Sequence, residues 1–343
     1  MSGHASRPRP TDHAARPAAQ PAAPTDPGDA GHASRPLPDP PHPNVLVIAA
    51  RGKTGRRVVP LLERRGVTVR RGSRSGELPF DWADRATWPA ALAGMDAVFV
   101  VHQPDLAVPH AADDMEAFVR IAREQGVRRL VLLGGRGVAE ARAAEQVVVR
   151  SGLAWTIVRA AWFAQNFTEG EFAAMTRDGV IALPMADVPE PVIDADDIAE
   201  VVATVLTDDG FDGCELELTG PEAITHERIA AELSAAAELS AAAGRPIRYR
   251  AISRDEFDAG LAASGVPEDY RALLGSLFEL TLSGVNVEPT GDVERVLGRP
   301  PRSFRAFAAR AAAGGAFGGR GKRGVLHASD ASDTSAAREV ARG

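Results

Sequence analysis

The chain has 343 residues, of which 45% are hydrophobic and 25% charged, and a formal net charge of -7. That balance argues against a nucleic-acid partner, which is met by clustered positive charge. No apolar run reaches the length of a membrane span, the N-terminus has no hydrophobic signal core, and the single cysteine, Cys214, excludes an internal disulfide, so a soluble cytoplasmic chain is expected.

Residues 1–43 are rich in Pro, Ala, Arg, His and Asp, and GHASRP occurs at Gly3 to Pro8 and again at Gly31 to Pro36. Without apolar periodicity such a segment cannot offset its ordering entropy, and it is expected to be a disordered tail. The apolar run Val45 to Ile48 predicts a strand buried on both faces of a parallel sheet. A glycine-containing turn, Ala49 to Gly55, follows. Then Val58, Val59, Leu61 and Leu62 recur at helical spacing among arginines. Val67 and Val69 begin a second strand. The result is a βαβ unit whose first turn meets a helix N-terminus, where free N–H groups and the positive dipole end suit a dinucleotide pyrophosphate.

In the order G-x-x-G-x-x-G, the three turn positions are Ala49, Gly52 and Gly55. The Ala49 Cβ is expected to crowd the pyrophosphate. Ala49→Gly is then expected to tighten binding and to lower the melting temperature slightly through unfolded-chain entropy. At the end of the second strand, an acid about 20 residues past the glycines usually holds a free 2′-hydroxyl, whereas a 2′-phosphate needs a cation. Here stand Arg70, Arg71, Ser73 and Arg74, with no carboxylate before Glu77. NADPH is expected over NADH, with Ser73 and Arg74 as the clamp. The alternative is a solvated strand end in an arginine-rich chain.

Further along, strand and helix signals alternate as a doubly wound sheet requires. Strands are expected at Ala97 to Val101, Arg129 to Leu133 and Trp155 to Arg159, and helices at Asp113 to Glu124 and Glu140 to Arg150. After Asn166 the pattern is mixed. Asp196 to Leu206, His226 to Ala243 and Arg254 to Leu282 look helical, the last with a break near Pro267, and Glu215 to Leu218 and Ile247 to Arg250 look extended. AELSAA is written twice in tandem, at Ala231 to Ala236 and Ala237 to Ala242, and is read as a neutral duplication on a solvated helix. The expected architecture is α/β: a Rossmann-type doubly wound parallel sheet over 44–167, a small mixed α/β cap over 168–312, and a disordered tail over 313–343. The cap would close on the carboxyl ends of the strands, where open α/β sheets bind ligands.

The Tyr and Lys pair of ordinary short-chain dehydrogenases is missing. The only tyrosines are Tyr249 and Tyr270, and neither is followed by a lysine. No Cys and His cluster has metal-ligand spacing, so no metal is expected, and G-x-S-x-G is absent. His102, directly after a buried strand, is the candidate proton donor, with a loop-capping histidine as the alternative. Trp162, Phe163 and Asn166, just past the strand ending at Arg159, are candidate pocket residues, and Tyr270 is another. Plain core packing is their alternative.

The segments RGKTGRRV, FDWADRATW at Phe80 to Trp88, GVRRLVLL at Gly126 to Leu133 and SGLAWTIVRAAWFAQNF at Ser151 to Phe167 together resemble NmrA-like atypical short-chain dehydrogenases. IDADDIA at Ile193, LTGPEAIT at Leu218, GVPEDY at Gly265 and GRPPRSFRAFA at Gly298 extend the match in order, and look most like the ergot-alkaloid reductase branch and its bacterial relatives. The resemblance implies an NADP-binding fold that passes hydride from NADPH to an iminium or a conjugated C=C bond. By position, Gly52, Lys53, Thr54 and Gly55 match the pyrophosphate loop, and Ser73 and Arg74 the 2′-phosphate site. Asp81 and Trp82 match the segment beside the adenine. Val101 to Pro104, including Gln103, match the strand end near the nicotinamide ribose. Two departures stand out: Ala49 replaces the first glycine, and Gly134 and Gly135 replace small hydroxyl residues. The same family implies two alternatives, a non-catalytic NADP-binding redox sensor and a quinone reductase. A monomer or homodimer acting on a small molecule is expected.

Overall fold

β1 (Val45–Ile48) is the strand around which the rest is laid down. Val45 and Val47 face one side of the sheet and pack with α1 (Gly55–Arg64) and α7 (Ala195–Thr207). Leu46 and Ile48 face the other, against α2 (Trp88–Leu92), α3 (Ala111–Glu124) and α4 (Arg142–Val149). All four β1 side chains are at most 1% exposed, which is why the run is apolar without alternation.

The computed structural model describes residues 42–317 apart from 77, 171 and 240–245. The remaining strands of the main sheet are β2 (Val69–Gly72), β3 (Ala97–Val100), β4 (Arg129–Gly135), β5 (Ala154–Ala160) and β7 (Cys214–Leu218). The order is β2-β1-β3-β4-β5-β7, parallel throughout, with Val45 opposite Val69 on one side and Ala97 on the other. The chain leaves β1 for one edge and returns to its other side as β3, so the crevice opens at their carboxyl ends. The Rossmann-type doubly wound sheet is as expected.

Beyond β5 come α5 (Asn166–Glu169), α6 (Ala173–Asp178) and β6 (Val180–Leu183), then, after α7 and β7, α8 (His226–Leu239), β8 (Arg248–Ala251), α9 (Arg254–Ala263), α10 (Glu268–Leu282), α11 (Asp292–Leu297) and α12 (Phe304–Ala313). β6 and β8 pair in parallel as a separate small sheet. They share a third apolar cluster with α8, α9, α10 and α12. The break at Pro267 separates α9 from α10, as the sequence indicates. α12 is not foreseen by periodicity. Its Phe304, Phe307 and Ala312, and Phe317 beyond it, are buried, so chain packs into the core past residue 313, where a tail is expected. The segments 1–41 and 318–343, and the end of the duplicated hexapeptide at 240–242, lie outside the described residues.

Candidate cofactor and substrate site

The turn after β1 is built on backbone. Ala49 adopts φ 53°, a left-handed conformation that L-residues avoid. Its carbonyl accepts the Gly52 N–H at 2.8 Å. A Cβ on Gly55 would stand 2.2 Å from that carbonyl oxygen, and one on Gly52 3.1 Å, so Gly55 admits no side chain and Gly52 barely one. Thr54 caps α1 without a side-chain hydrogen bond, and the first turn holds no acid. The positive end of the helix is therefore left for an anion from outside the chain.

Arg70 and Arg71 in β2 and Arg74 just after it do different work. Arg70 donates to the carbonyls of Ala91 and Ala93 at 2.9 and 2.7 Å, closing the end of α2, and Arg71 pairs with Glu63 at 2.5 Å. Ser73 and Arg74 line the cleft, joined by Ser75 and Arg51. Arg51 Nη1 donates to Ser75 Oγ at 2.8 Å, and Ser73 Oγ to the Ser75 carbonyl at 2.9 Å. Arg51 precedes the glycines in sequence, and only the fold of the turn carries it beside Arg74. Two guanidiniums and two hydroxyls next to an uncapped helix N-terminus are a donor set for phosphates, so the residues present fit a dinucleotide.

The cleft has a volume of about 600 Å³ and runs from this basic end to an aromatic one. Ala49, Gly52, Lys53, Thr54, Val101, His102, Gln103, Trp162, Phe163, Asn166 and Tyr270 all line it. Gly55 supports it from beneath, through its contact with Ala49. Trp162 stacks on Phe278 with ring centroids 5.6 Å apart and donates to Thr281 Oγ1 at 2.9 Å. Lys53 Nζ crosses to Asn166 Oδ1 at 2.9 Å, and Arg57 of α1 reaches Glu169 at 2.5 Å and Asp196 at 2.7 Å. Arg56 also pairs with Glu169.

Asp81 and Trp82 lie outside the cleft lining. Asp81 accepts the Ala83 N–H at 3.0 Å and its carbonyl accepts Trp88 Nε1, so it shapes the loop. Trp82 is 7% exposed and donates to the Val101 carbonyl at 2.9 Å, fixing the end of β3 from behind. His102 lines the cleft at the end of β3. Its Nδ1 meets the Asp105 carbonyl at 2.9 Å and its Nε2 meets Asp114 Oδ2 at 3.3 Å. Both nitrogens are engaged within the chain and the side chain is buried, an arrangement of the kind the loop-capping alternative describes. His102, His110 and Asp114 place one ligand atom each within 4.8 Å of one another, a grouping that sequence spacing does not reveal. Arg85 Nη2 sits 2.8 Å from Asp114 Oδ1 and already answers that charge, so the cluster clasps the loop to α3.

Glu145 of α4 is 1% exposed. Arg159 of β5 grips it through two hydrogen bonds at 2.9 and 2.8 Å and takes Glu215 with a third at 2.6 Å. These bonds hold the Arg159 guanidinium charged despite its burial. Gly134 and Gly135 are the last residues of β4 and present no side chain beside this pair. One polar residue of the cleft has no sequence signal. Glu190, in the loop between β6 and α7, is 2% exposed and lines the cleft wall. Its carboxyl accepts the Trp162 backbone N–H, and burial pushes it up to about 7, the Arg136 charge and that hydrogen bond opposing.

The family described as NAD(P)H-binding matches residues 49–209. The NAD(P)H azoreductase of Xenophilus azovorans is 34% identical over 282 residues, covering 76% of this chain and 95% of that protein. The festuclavine dehydrogenase of Aspergillus fumigatus is 29% identical over 280 residues, 76% of this chain and 94% of its own. In fold, the chain is similar to NmrA, a negative transcriptional regulator solved with NADP, with TM-score 0.61 and 16% identity over 79% of this chain and 95% of that one. The chain belongs to the NAD(P)H-binding family of oxidoreductases. Within it, the chain stands among NAD(P)H-dependent reductases that include azoreductase and clavine dehydrogenases. Among the described residues, no helix is long and apolar enough to cross a membrane.

Proposed function

We propose that the protein is an NADPH-dependent reductase of a small, flat, conjugated acceptor, an imine or iminium, an activated C=C bond, or an azo or quinone group. The observation that carries the reading is the continuity of one cleft. Its basic end, with Arg51, Ser73, Arg74 and the α1 N-terminus, suits a dinucleotide carrying a 2′-phosphate. Its other end, with Trp162, Phe257, Tyr270 and Leu274, suits an apolar conjugated ring. Bound NADPH supplies hydride. The chain's own residues would hold the phosphates and exclude water, and Gly134 and Gly135 line the cleft without a side chain. The azoreductase and clavine dehydrogenase activities of the relatives support the acceptor class.

The test is NADPH oxidation by the full chain against cyclic imines, a permanently cationic iminium, enones, azo dyes and quinones, with NADH in parallel. Turnover of at least one class, faster with NADPH, is expected. A second reading is a sensor that binds NADP without turnover. It is favoured by the absence of the Tyr and Lys pair and by the engaged nitrogens of His102. Tight NADPH binding with no oxidation by any acceptor would establish it instead.

A further inference from the structure

Among the described residues, the buried acids are held by cations, with one exception. Asp114 meets Arg85, Glu145 meets Arg159, Asp194 meets Arg310, and Asp197 meets Arg299 and Arg302. Glu190 has no ion pair among the described residues. Arg136, the charged group that faces it, directs Nε to Glu217 at 2.9 Å and Nη1 to the Asn286 carbonyl at 2.6 Å. The Glu190 backbone is fixed by reciprocal hydrogen bonds with Ile224, both 3.0 Å, so the carboxyl is held in place at the cleft wall. One donor, the Trp162 N–H, addresses it, and the Trp162 ring lines the same cleft. An acid buried without a counter-charge costs stability, and burial of that kind, in a cleft, is how proteins keep a carboxyl protonated for use near neutral pH.

We propose that Glu190 is the proton donor of this site. The inference rests on the reductase reading above. Hydride brings an acceptor two electrons and one hydrogen, and reducing a neutral C=C, C=O or N=N bond requires one further proton. In the proposed step the Glu190 O–H bond breaks, and its proton forms a new bond to the acceptor atom that carries the displaced electron pair. Glu190 is left as carboxylate and is reprotonated from water at the cleft mouth. A cationic iminium takes hydride and ends neutral, so it needs no such donor.

The experiment compares wild type with Glu190→Gln on a quinone or azo acceptor and on a permanently cationic iminium, with NADPH affinity measured on both proteins. For the neutral acceptor, kcat should fall on the order of 100-fold or more in Glu190→Gln. The iminium rate and NADPH affinity should stay within about twofold, well short of the tenfold change that 1.4 kcal/mol represents. Wild-type kcat on the neutral acceptor should fall as pH rises through 7, and the variant should lose that limb. Independently of turnover, the difference infrared spectrum of wild type against variant should show a protonated carboxyl at pH 6 that is gone at pH 9. Unchanged activity and pH profile in the variant, or no protonated carboxyl at pH 6, overturns the role of Glu190 and leaves the reductase reading intact. A wild type inactive toward every acceptor defeats the reductase reading, and the role with it.

Discussion

Arg159 holds Glu145 through two parallel hydrogen bonds, with the two side chains 3% and 1% exposed. The pair joins α4 to β5 in the interior and serves the fold. Glu145→Ala leaves Arg159 buried with only Glu215 as partner. A loss of about 3 kcal/mol in urea unfolding is expected, the low end for a broken buried pair because Glu215 remains. NADPH affinity should change little.

Glu190 makes the opposite case. Its carboxyl is pushed from 4.5 to about 7 in the folded protein, chiefly by burial. Ionised Glu190 therefore weighs against folding above pH 7, and that weight vanishes below 4.5. Glu190→Gln should match wild type at pH 4.5 and exceed it increasingly as pH rises to 7, by up to about 3 kcal/mol, then stay level. Urea unfolding at pH 4.5, 6 and 8 checks this. A gap that does not grow with pH would refute it.

His226 titrates in the other direction. Burial near Phe167 and Tyr249 lowers it from 6.5 to about 4, so the neutral ring is the folded form. The stability this provides is complete above 6.5 and is lost as pH falls through 4. His226→Phe should flatten the decline of melting temperature between pH 6.5 and 4.

For the cofactor, Arg74→Ala should weaken NADPH by about 1 to 3 kcal/mol and leave NADH nearly unchanged, and Arg51→Ala should act in the same direction. Fluorescence titration with both nucleotides measures the split. Equal losses for the two would remove the clamp.

Ala49→Gly has changed sign in one respect. The sequence suggests a small stability cost from unfolded-chain entropy. The φ of 53° means that wild type already carries the strain of a left-handed alanine. Glycine should relieve it and raise apo stability by about 0.5 to 1 kcal/mol net. Tighter NADPH binding is still expected, as less Cβ faces the phosphates.

What could be read from sequence followed from local pattern. Val45 to Ile48, the glycine spacing, Ser73 and Arg74 act within one βαβ unit, and the places of Gly52, Ser73 and Arg74 in the cleft follow from neighbouring positions. Trp162, Phe163 and Asn166 were legible because the residues just past a parallel strand reach the crevice. Glu190 lies between prolines, in a loop without periodicity, and its burial depends on Trp162 and Ile224, distant in sequence. Arg51 looks like any exposed turn residue until the turn folds. His102 was placed correctly at the strand end, but Asp105 and Asp114 decide what its nitrogens can do, and no spacing rule shows that.

Lys53, Arg56 and Arg57 tie the phosphate loop to Asn166, Glu169 and Asp196 on the acceptor side. These contacts make the two halves of the cleft thermodynamically linked, and the linkage is reciprocal: whatever one ligand does to the affinity of the other is returned in equal measure. Were Lys53 to turn to a dinucleotide phosphate, its 2.9 Å bond to Asn166 would lengthen and that amide would be free to face an acceptor. If the dinucleotide binds first for that reason, product inhibition by the oxidised nucleotide should be competitive with the reduced one and not with the acceptor.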